Sequence, residues 1–419
     1  MMTDAVDVVL DDPRLTAPPH VGVLSRERSG SAEVVRFSYS SAWLGAAREG
    51  FALEPELPPF SGEFFSSASG GLFRIFRDTS PDRWGRVLME RREALVARAE
   101  GRKPRRLGEW DFLLGVSDAT RVGALRFREA GADEKFLDGQ TLGVPPSARL
   151  RELQAIALLL DEPDSEGRPE YESWLRQLLA PGSSLGGARP KATFTAGDDT
   201  WWIAKFPARQ DRHDVGAWEF LAHQLAVRAG IQVPDAQRLK LGGEHHTFAV
   251  KRFDREGRGR RLYASAMTLA QRNDGEAASY LDIAQAIQDS GDPEALNHDL
   301  AELYRRAVFN VLIGNRDDHL RNHGFLRGPR GWRLAPAFDV NPNPDKDEHT
   351  LALGESGGHP SVADLRATRE LYRLTGSDAE RIEREVRDAF RDWATVAKAC
   401  GVRRPGLQRL SAVIDPTLE

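Results

Sequence analysis

Hydrophobic and polar positions along the first third of the chain alternate with a short period. Residues 21–76 alternate short β-rich runs with turn residues, as in VGVL, SGS and EVVRFSYS, and predict a small β-rich module. From 80 to 100 the pattern becomes amphipathic and predicts a helix with Ser80 as its N-cap and Pro81 at the first helical position. The segment DFLLGVSDATRVGALRF then returns to strand and turn. A polar stretch over 131–145, punctuated by Gly and Pro, predicts a domain boundary near residue 145.

The rest of the chain mixes helical spacing with short apolar strands. Helical patterns cover 147–160 and 171–180, and the apolar run over 200–207 predicts a strand before a helix over 214–229. A second apolar strand over 247–255 stops in charged residues, which predicts a junction between lobes. Helices dominate beyond it, including 299–313 and one that begins at a capping box at Ser377 and ends before Gly401.

Composition and charge narrow the class of protein. A length of 419 residues exceeds what one hydrophobic core usually organises, so two or three packed units are expected. No apolar run approaches the roughly 18 residues of a membrane span, and the acidic start lacks the features of a secretory signal, so we expect a cytoplasmic protein without membrane association. The net charge of -5 argues against a surface that binds nucleic acid throughout. The single cysteine, Cys400, excludes an internal disulfide and a cysteine-based zinc site.

A segment rich in glycine and serine precedes the first strand of the second half. The sequence GSSLGGARPK, which ends at Lys191, combines small residues, hydroxyls and two cations directly before ATFTA. Backbone N–H groups of such a loop can approach a phosphate. The segment is neither a Walker A sequence nor a regular G-x-G-x-x-G, and by itself it is more simply interpreted as a flexible hairpin connection.

A lone lysine interrupts the apolar strand over 200–207. Lys205 requires an anion nearby if it is buried, because an unpaired ammonium is costly to remove from water. In kinases a strand lysine contacts nucleotide phosphates and pairs with a glutamate on the next helix, and Glu219 occupies the equivalent helix here. The alternative is that Lys205 leaves an edge strand for solvent and that Glu219 is a surface carboxylate.

The sequence GNRDDHLRN over 314–322 is the most informative stretch. A kinase needs a carboxylate that accepts the proton of the attacking hydroxyl and, one loop later, an amide oxygen that holds magnesium. Asp317 has Asn322 five positions later, whereas Asp318 has only His323 at that spacing. We therefore predict Asp317 as the catalytic base and Asn322 as a metal ligand.

A second carboxylate for magnesium is expected at a nearby strand end, because Mg²⁺ prefers hard oxygen ligands. Asp339 lies in this position in the sequence WRLAPAFDV, although the glycine that usually follows such an aspartate is absent. Each of these residues also has a structural explanation, as a turn cap, a left-handed position or a strand end. Their joint order along the chain favours catalysis.

At these residues the chain resembles the HipA family, the kinase toxins of bacterial type II toxin–antitoxin pairs. The pieces FSYSSAWL, DTSPDRWGRVL and DFLLGVSDATRVGALRF resemble the extra N-terminal module of that family, and SSLGGARPKA, AKFP, VKRFDR, GNRDDHLRN and LAPAFDV resemble its kinase core. The resemblance implies an α+β, bilobal protein-kinase-like fold. It divides the chain into an N-terminal module over 20–145, a β-rich kinase N-lobe over 146–255 and an all-helical C-lobe over 256–419. The implied activity is ATP- and Mg²⁺-dependent serine/threonine protein kinase activity.

The resemblance also implies partners and further site residues. A HipB-like helix-turn-helix antitoxin is the expected partner and would bring the complex onto operator DNA, while a protein supplies the phosphorylated hydroxyl. Lys205 is implied as the phosphate-contacting, catalytic lysine. The other implied residues of the ATP site are Ser184, which is also the autophosphorylation candidate beside Ser183, Gly186, Gly187, Lys191, Glu219, Lys251, Phe253, Asp254 and His319.

Three other functions remain open at this stage. The chain is alternatively a catalytically inactive module that binds an antitoxin and DNA, or a kinase for small molecules. A metallohydrolase site would instead use Asp317, Asp318, His319 and His323, because two histidines four apart on a helix can share a metal.

Overall fold

The computed structural model describes residues 4–29, 32–46, 50–67, 71–132, 135–137, 143–179, 187–257, 259–354 and 357–418. The chain forms two compact units. The first comprises Met1–Ala204 and Asp254–Ala264, and the second comprises Lys205–Phe253 and Ser265–Glu419. These limits differ from the predicted boundaries at 145 and 255, and the three-part division stays a prediction.

The first unit contains an antiparallel sheet. Its strands are β1 Ala5–Leu10, β2 His20–Ser29, β3 Ala32–Tyr39, β4 Phe64–Phe65 and β5 Leu125–Glu129, in the spatial order β4-β3-β2-β1-β5. β1 pairs with both β2 and β5, and its valines Val6 and Val8 are fully buried. Valine suits such a strand because its branched side chain packs well on a pleated surface. The sheet therefore begins at Ala5, whereas the N-terminal module was predicted to start at residue 20.

The helices of the first unit correct two predictions. They are α1 Ser41–Gly45, α2 Arg74–Arg77, α3 Arg83–Ala99, α4 Glu109–Gly115, α5 Leu150–Leu160 and α6 Tyr171–Leu179. α3 is capped by Asp82, not by Ser80, because the Asp82 carboxylate accepts from the Gly85 N–H at 2.8 Å. α4 was predicted as strand and turn, but Trp110, Leu113 and Leu114 share one buried helical face.

The remaining strands of the first unit begin at residue 191. They are β6 Lys191–Thr195, β7 Trp201–Lys205, β10 Arg255–Glu256, β11 Gly259–Arg260 and β12 Tyr263–Ser265, of which β7 and β12 each end on the first residue of the second unit. Two carboxylates hold the 254–264 segment to the rest of this unit. Asp254 accepts from the Gly123 N–H at 2.9 Å, and Asp12 accepts from the Leu262 N–H at 2.8 Å.

The second unit is mostly helical. Its helices are α7 Val215–Arg228, α8 Ala266–Leu269, α9 Tyr280–Ser290, α10 Leu296–Ile313, α11 Val362–Ala367, α12 Gly376–Ala389, α13 Trp393–Ala399 and α14 Arg404–Leu418. Its strands form two antiparallel pairs, β8 Ala236–Leu239 with β9 Thr247–Lys251 and β13 Gly324–Arg327 with β14 Trp332–Leu334. The predicted C-lobe is therefore not wholly helical. A tight turn, closed by a bond from the Gly328 N–H to the Gly331 carbonyl, makes a hairpin of the two short apolar runs.

The C-terminal helices also differ from the prediction in detail. The single helix expected to begin at Ser377 is two helices, α12 and α13, and Thr375 caps the first of them. The Phe390 N–H bonds to the Arg387 carbonyl, a three-residue spacing that tightens the end of α12. In the part of the chain that the structure describes, no helix is both long enough and apolar enough to cross a membrane.

Candidate functional site

The second unit brings together three of the predicted site residues around one ammonium group. Lys205 donates a short hydrogen bond to the Glu219 carboxylate and a second bond, of 2.7 Å, to Oδ1 of Asp339. The side chains of Lys205 and Glu219 are 9% and 4% exposed, whereas that of Asp339 is 22% exposed. The arrangement is a mostly buried cation between two carboxylates, one of which reaches solvent.

Local structure explains how Glu219 reaches Lys205. Asp214 caps α7 by accepting from the Ala217 N–H at 3.1 Å, and its carboxylate also accepts from the His246 N–H at 2.9 Å. Glu219 lies in the second turn of α7, on the buried side that also carries Trp218 and Ala222. The helix therefore turns a carboxylate inward, toward the end of β7.

Electrostatics keeps this lysine charged. Burial by itself lowers the pKa of Lys205, because an ammonium loses hydration inside a protein. The carboxylates of Asp339 and Glu219 outweigh that effect and raise the pKa above its ordinary value. The two carboxylates thus favour the charged form of Lys205, which can contact an anion such as a phosphate.

Asp339 has an unusual backbone conformation. Its φ is +58°, in the left-handed region that residues other than glycine rarely adopt. The Asn341 side chain donates to Oδ1 of Asp339 at 3.4 Å. The left-handed position falls on the aspartate itself, so Val340 need not be the glycine that the kinase pattern expects.

The loop after α10 exposes Asp317. α10 ends at Gly314, which has a φ of +72°, and the Asn315 N–H bonds back to the Asn310 carbonyl at 2.9 Å. The Asp317 side chain is 62% exposed and forms a short salt bridge with Lys346. Sequence reasoning did not find Lys346, because no spacing rule relates two residues on different loops.

Asp318, directly after Asp317, is buried and holds the loop from inside. Its Oδ2 accepts hydrogen bonds from the Tyr280 hydroxyl, from the Asn310 amide at 3.0 Å and from Nε2 of His323 at 2.8 Å. Burial opposes ionisation of Asp318, but His323 and the hydroxyl of Tyr280 hold its pKa below the ordinary value. The two neighbouring aspartates therefore have opposite environments.

Asn322 lies close to the segment that carries Asp339. It ends the 3₁₀ turn Leu320–Asn322, is 8% exposed and lines a small cavity with Asp318, His323, Phe338 and Val340. Phe338 and Val340 are the two neighbours of Asp339. The structure thus brings an amide and a carboxylate predicted to hold magnesium into one region.

The histidines of this loop do not form the metal site of the metallohydrolase alternative. His319 precedes the 3₁₀ turn in an extended conformation, and His323 follows it, so the two do not share a helical face. Nε2 of His323 is bonded to Asp318. Among the described residues, no cluster of three or more His, Cys, Asp and Glu side chains is arranged to hold a metal ion.

Two more of the predicted ATP-site residues, Lys251 and Phe253, lie at or just after the end of β9 in the second unit. The Lys251 N–H bonds to the Asp235 carbonyl at 2.8 Å, and the Lys251 side chain is 40% exposed. The Phe253 ring lies 5.4 Å from the ring of Phe338, next to Asp339. Phe253 and Asp339 therefore belong to neighbouring segments of one unit.

The other predicted ATP-site residues lie in the first unit or outside the described residues. Asp254 is fully buried, and besides Gly123 it also binds Arg255 at 2.7 Å. Gly187 has a φ of +73°, and its carbonyl accepts from Nζ of Lys191 at 2.8 Å. Ser183, Ser184 and Gly186 lie outside the described residues, so the autophosphorylation prediction remains untested.

Two curated proteins show partial sequence similarity to the chain. A Sinorhizobium fredii protein named "Putative kinase Y4dM" is 31% identical over 170 residues, which cover 37% of this chain and 40% of that protein. A Haemophilus influenzae protein named "Putative kinase" is 25% identical over 196 residues, which cover 41% of this chain and 56% of that protein. The chain thus spans between 40% and 56% of the length of these curated relatives.

The fold and the family are shown by two further comparisons. A chain in the solved complex of the Shewanella oneidensis MR-1 toxin–antitoxin proteins HipA and HipB with operator DNA superposes with a TM-score of 0.67 at 16% identity, covering 99% of this chain and 96% of that chain. This similarity confirms the predicted α+β, protein-kinase-like fold class. The family model described as "HipA-like C-terminal domain" matches residues 183–397, just over half of the 419 residues. The chain therefore belongs to the family defined by the HipA-like C-terminal domain.

Proposed function

We propose that this chain is a serine/threonine protein kinase of the HipA type, which transfers the γ-phosphate of ATP to a protein hydroxyl. The observation that carries the proposal is the contact of Lys205 with both Glu219 and Asp339. A strand lysine paired with a helix glutamate, beside a carboxylate that follows a later strand, is the arrangement with which kinases hold nucleotide phosphates. The names of the two curated relatives support the coarser assignment, that of a kinase.

The donor set near Asp339 suits a magnesium ion. Mg²⁺ is bound by hard oxygen ligands, usually one or two carboxylates together with substrate phosphates and water. Asp339 supplies a partly exposed carboxylate, and Asn322 supplies an amide oxygen beside the neighbours of Asp339. When bound, the ion would neutralise charge on the phosphates. Asn322 and Asp339 are the residues that would hold it.

The other residues take roles in positioning and in proton transfer. Lys205 would contact the phosphates, and Glu219 would keep its ammonium in place. Asp317 would orient the substrate hydroxyl and accept its proton, which requires a carboxylate accessible from solvent. Its 62% exposure meets this requirement.

We also propose a partner and a mode of control. The chain would bind a HipB-like helix-turn-helix antitoxin and reach operator DNA through it, as the HipA of Shewanella oneidensis is found in a complex with HipB and operator DNA. Phosphorylation of Ser184 by the chain itself would add negative charge to the glycine-rich loop that is proposed to contact phosphate.

Substitutions of the two carboxylates test the proposed catalytic roles. We expect Asp317→Ala and Asp317→Asn to abolish phosphoryl transfer, a loss of at least about 100-fold, while the proteins stay folded and still bind Mg-ATP. Asp339→Ala should instead weaken Mg-ATP binding by about 10-fold or more, because it removes a metal ligand. Transfer is followed with labelled ATP and a cell extract, and binding by titration of the nucleotide.

Asp347→Ala is the matched control, because Asp347 is an exposed aspartate in the segment that carries Lys346. It should leave both transfer and binding unchanged. Undiminished transfer by folded Asp317→Ala protein would refute the role of Asp317. Label that appears in small molecules and never in protein would favour a small-molecule kinase, and an intact protein that binds no Mg-ATP would favour an inactive binding module.

A further inference from the structure

Asp82, in the motif SPDRWGR of the first unit, uses its two carboxylate oxygens for different contacts. Oδ1 accepts from the Gly85 N–H at 2.8 Å and so caps α3. Oδ2 accepts from Nζ of Lys191, 109 positions later in the chain, at 2.5 Å. The proposed function assigns no role to this motif.

The contact with Lys191 is a buried ion pair. The side chain of Asp82 is 8% exposed and that of Lys191 is 1% exposed. Burial of two charges is costly and is offset only when both have good partners. A helix cap alone does not require a charge, since Ser and Asn cap helices about as well as Asp does. The negative charge at position 82 is therefore matched to Lys191.

Lys191 extends this pair to the glycine-rich loop. Nζ of Lys191 donates to the Gly187 carbonyl at 2.8 Å while it is bound to Asp82. Gly187 has a φ of +73°, and a Cβ built there would meet no atom of the described residues within 4 Å. Glycine is therefore favoured at this position by its backbone conformation.

We propose that Asp82 is a positioning residue for the glycine-rich loop. Through Lys191 it holds the Gly187 carbonyl, and so fixes the backbone at the point where the glycine-rich segment, predicted to contact phosphate, approaches β6. The inference rests on the proposed function, because only a nucleotide-binding chain needs this loop to be held. It assigns to the N-terminal motif a role in ATP affinity and none in the chemical step.

Two variants distinguish the effect of the ion pair from the effect of the helix cap. Asp82→Asn keeps a capping side chain but removes the charge, and the single amide oxygen that remains is used by the cap. Asp82→Asn combined with Lys191→Met leaves no unpaired buried charge, so it serves if the single variant is too unstable to study. Leu88→Ala is the matched control, because Leu88 is fully buried in the same helix but is not part of the ion pair.

Two measurements on the full chain test the inference. We expect amide hydrogen exchange around Gly187 to become about 10-fold faster in both Asp82 variants, because a charge-assisted tether is lost. In Asp82→Asn, the KM for Mg-ATP should rise about 10-fold while kcat stays within about 2-fold, as expected when binding is lost without damage to the chemical step. Leu88→Ala should lower stability and leave exchange at Gly187 and the KM unchanged.

Unchanged exchange at Gly187 in both folded Asp82 variants would overturn the inference. An equal acceleration in Leu88→Ala would overturn it as well, because the effect would then follow from general destabilisation of α3. If the unmodified chain binds no Mg-ATP, the proposed function fails. The exchange measurement would still decide whether Asp82 holds the loop.

Discussion

Asp317 and Asp318 occupy adjacent positions but have contrasting environments. The Asp317 carboxylate is exposed and pairs with Lys346, whereas Asp318 is 2% exposed and accepts three hydrogen bonds from side chains. A buried carboxylate with that many partners is held rigidly, and it fixes the backbone of the residue next to it. Asp318 thus supports the loop from which Asp317 reaches solvent.

The buried side chain of His349 makes the free energy of unfolding depend on pH. Burial lowers the pKa of His349 to about 4, whereas the unfolded chain binds the proton near pH 6.5. Between these two values the unfolded state holds a proton that the folded state lacks, so the free energy of unfolding falls as the pH drops from 6.5 to 4. We expect His349→Leu to reduce the loss of stability between pH 7.5 and 4.5 by about 2 kcal/mol. Urea unfolding at both pH values measures this difference.

His359→Leu is the control for this measurement, because His359 is exposed. Its loss of stability on acidification should equal that of the unmodified chain. The same pH dependence in His349→Leu would show that other groups cause the acid sensitivity.

At the scale of elements, helix α10 positions both halves of the candidate site. Near its first turn, Asp299 accepts from the Leu334 N–H at 3.0 Å, and farther along Arg306 donates to the Ala335 carbonyl at 2.9 Å. These bonds hold the segment that leads to Asp339. At the other end of the helix, Gly314 begins the loop that carries Asp317. One buried helix therefore fixes the origins of both carboxylate-bearing segments.

A substitution of Gly314 tests how much the turn at the end of α10 contributes to stability. Its φ of +72° disfavours any side chain, and a Cβ built there would lie 2.1 Å from Cγ1 of Val413. We expect Gly314→Ala to lower the free energy of unfolding by about 2–4 kcal/mol, since strain and overpacking add. Chemical denaturation measures the change.

A substitution at a second glycine distinguishes backbone strain from overpacking. Gly243 has a similar φ of +68°, but a Cβ there would meet no atom of the described part of the chain within 4 Å, so Gly243→Ala should lose only about 1 kcal/mol. Combining Gly314→Ala with Val413→Ala should recover part of the deficit. Equal losses at Gly314 and Gly243 would mean that Val413 does not contribute.

At the scale of the whole molecule, the chain passes between its units three times. It enters the second unit at Lys205, returns to the first for 254–264 and leaves again at Ser265. Carboxylates attach the 254–264 segment to the rest of the first unit. Asp254 is the most buried of these, with 0% exposure, and contacts Gly123 and Arg255.

Removal of this attachment should destabilise the first unit. We expect Asp254→Ala to lower the free energy of unfolding by about 3 kcal/mol, because it leaves the buried Gly123 N–H and Arg255 without that carboxylate. Amide exchange should accelerate at 121–123 and 259–264. Asp235→Ala is the control, since that side chain is 76% exposed and pairs only loosely with Lys251. If the stability of Asp254→Ala were unchanged, Asp254 would not be what attaches the 254–264 segment. That result would favour its predicted role in the ATP site instead.

Some features of the fold were predictable because they depend on local periodicity. α5, α6, α7 and α10 and strands β6, β7 and β9 lie where their patterns indicated, within a few residues. Helix starts were less accurate, as at Asp82 and Thr375, because several neighbouring side chains can serve as a cap. α4 was missed because seven residues are too few for a helical period to stand out.

The sequence by itself determined the type and order of the elements and the residue types available for chemistry, since backbone preference and hydrophobic period act over a few neighbours. Only the tertiary structure decided which of those residues are buried and which charge meets which. The contacts of Lys205 with Asp339, Asp317 with Lys346 and Asp82 with Lys191 join residues 134, 29 and 109 positions apart. No local pattern encodes such pairs, because they form only when packing brings distant segments together and removes their charges from water.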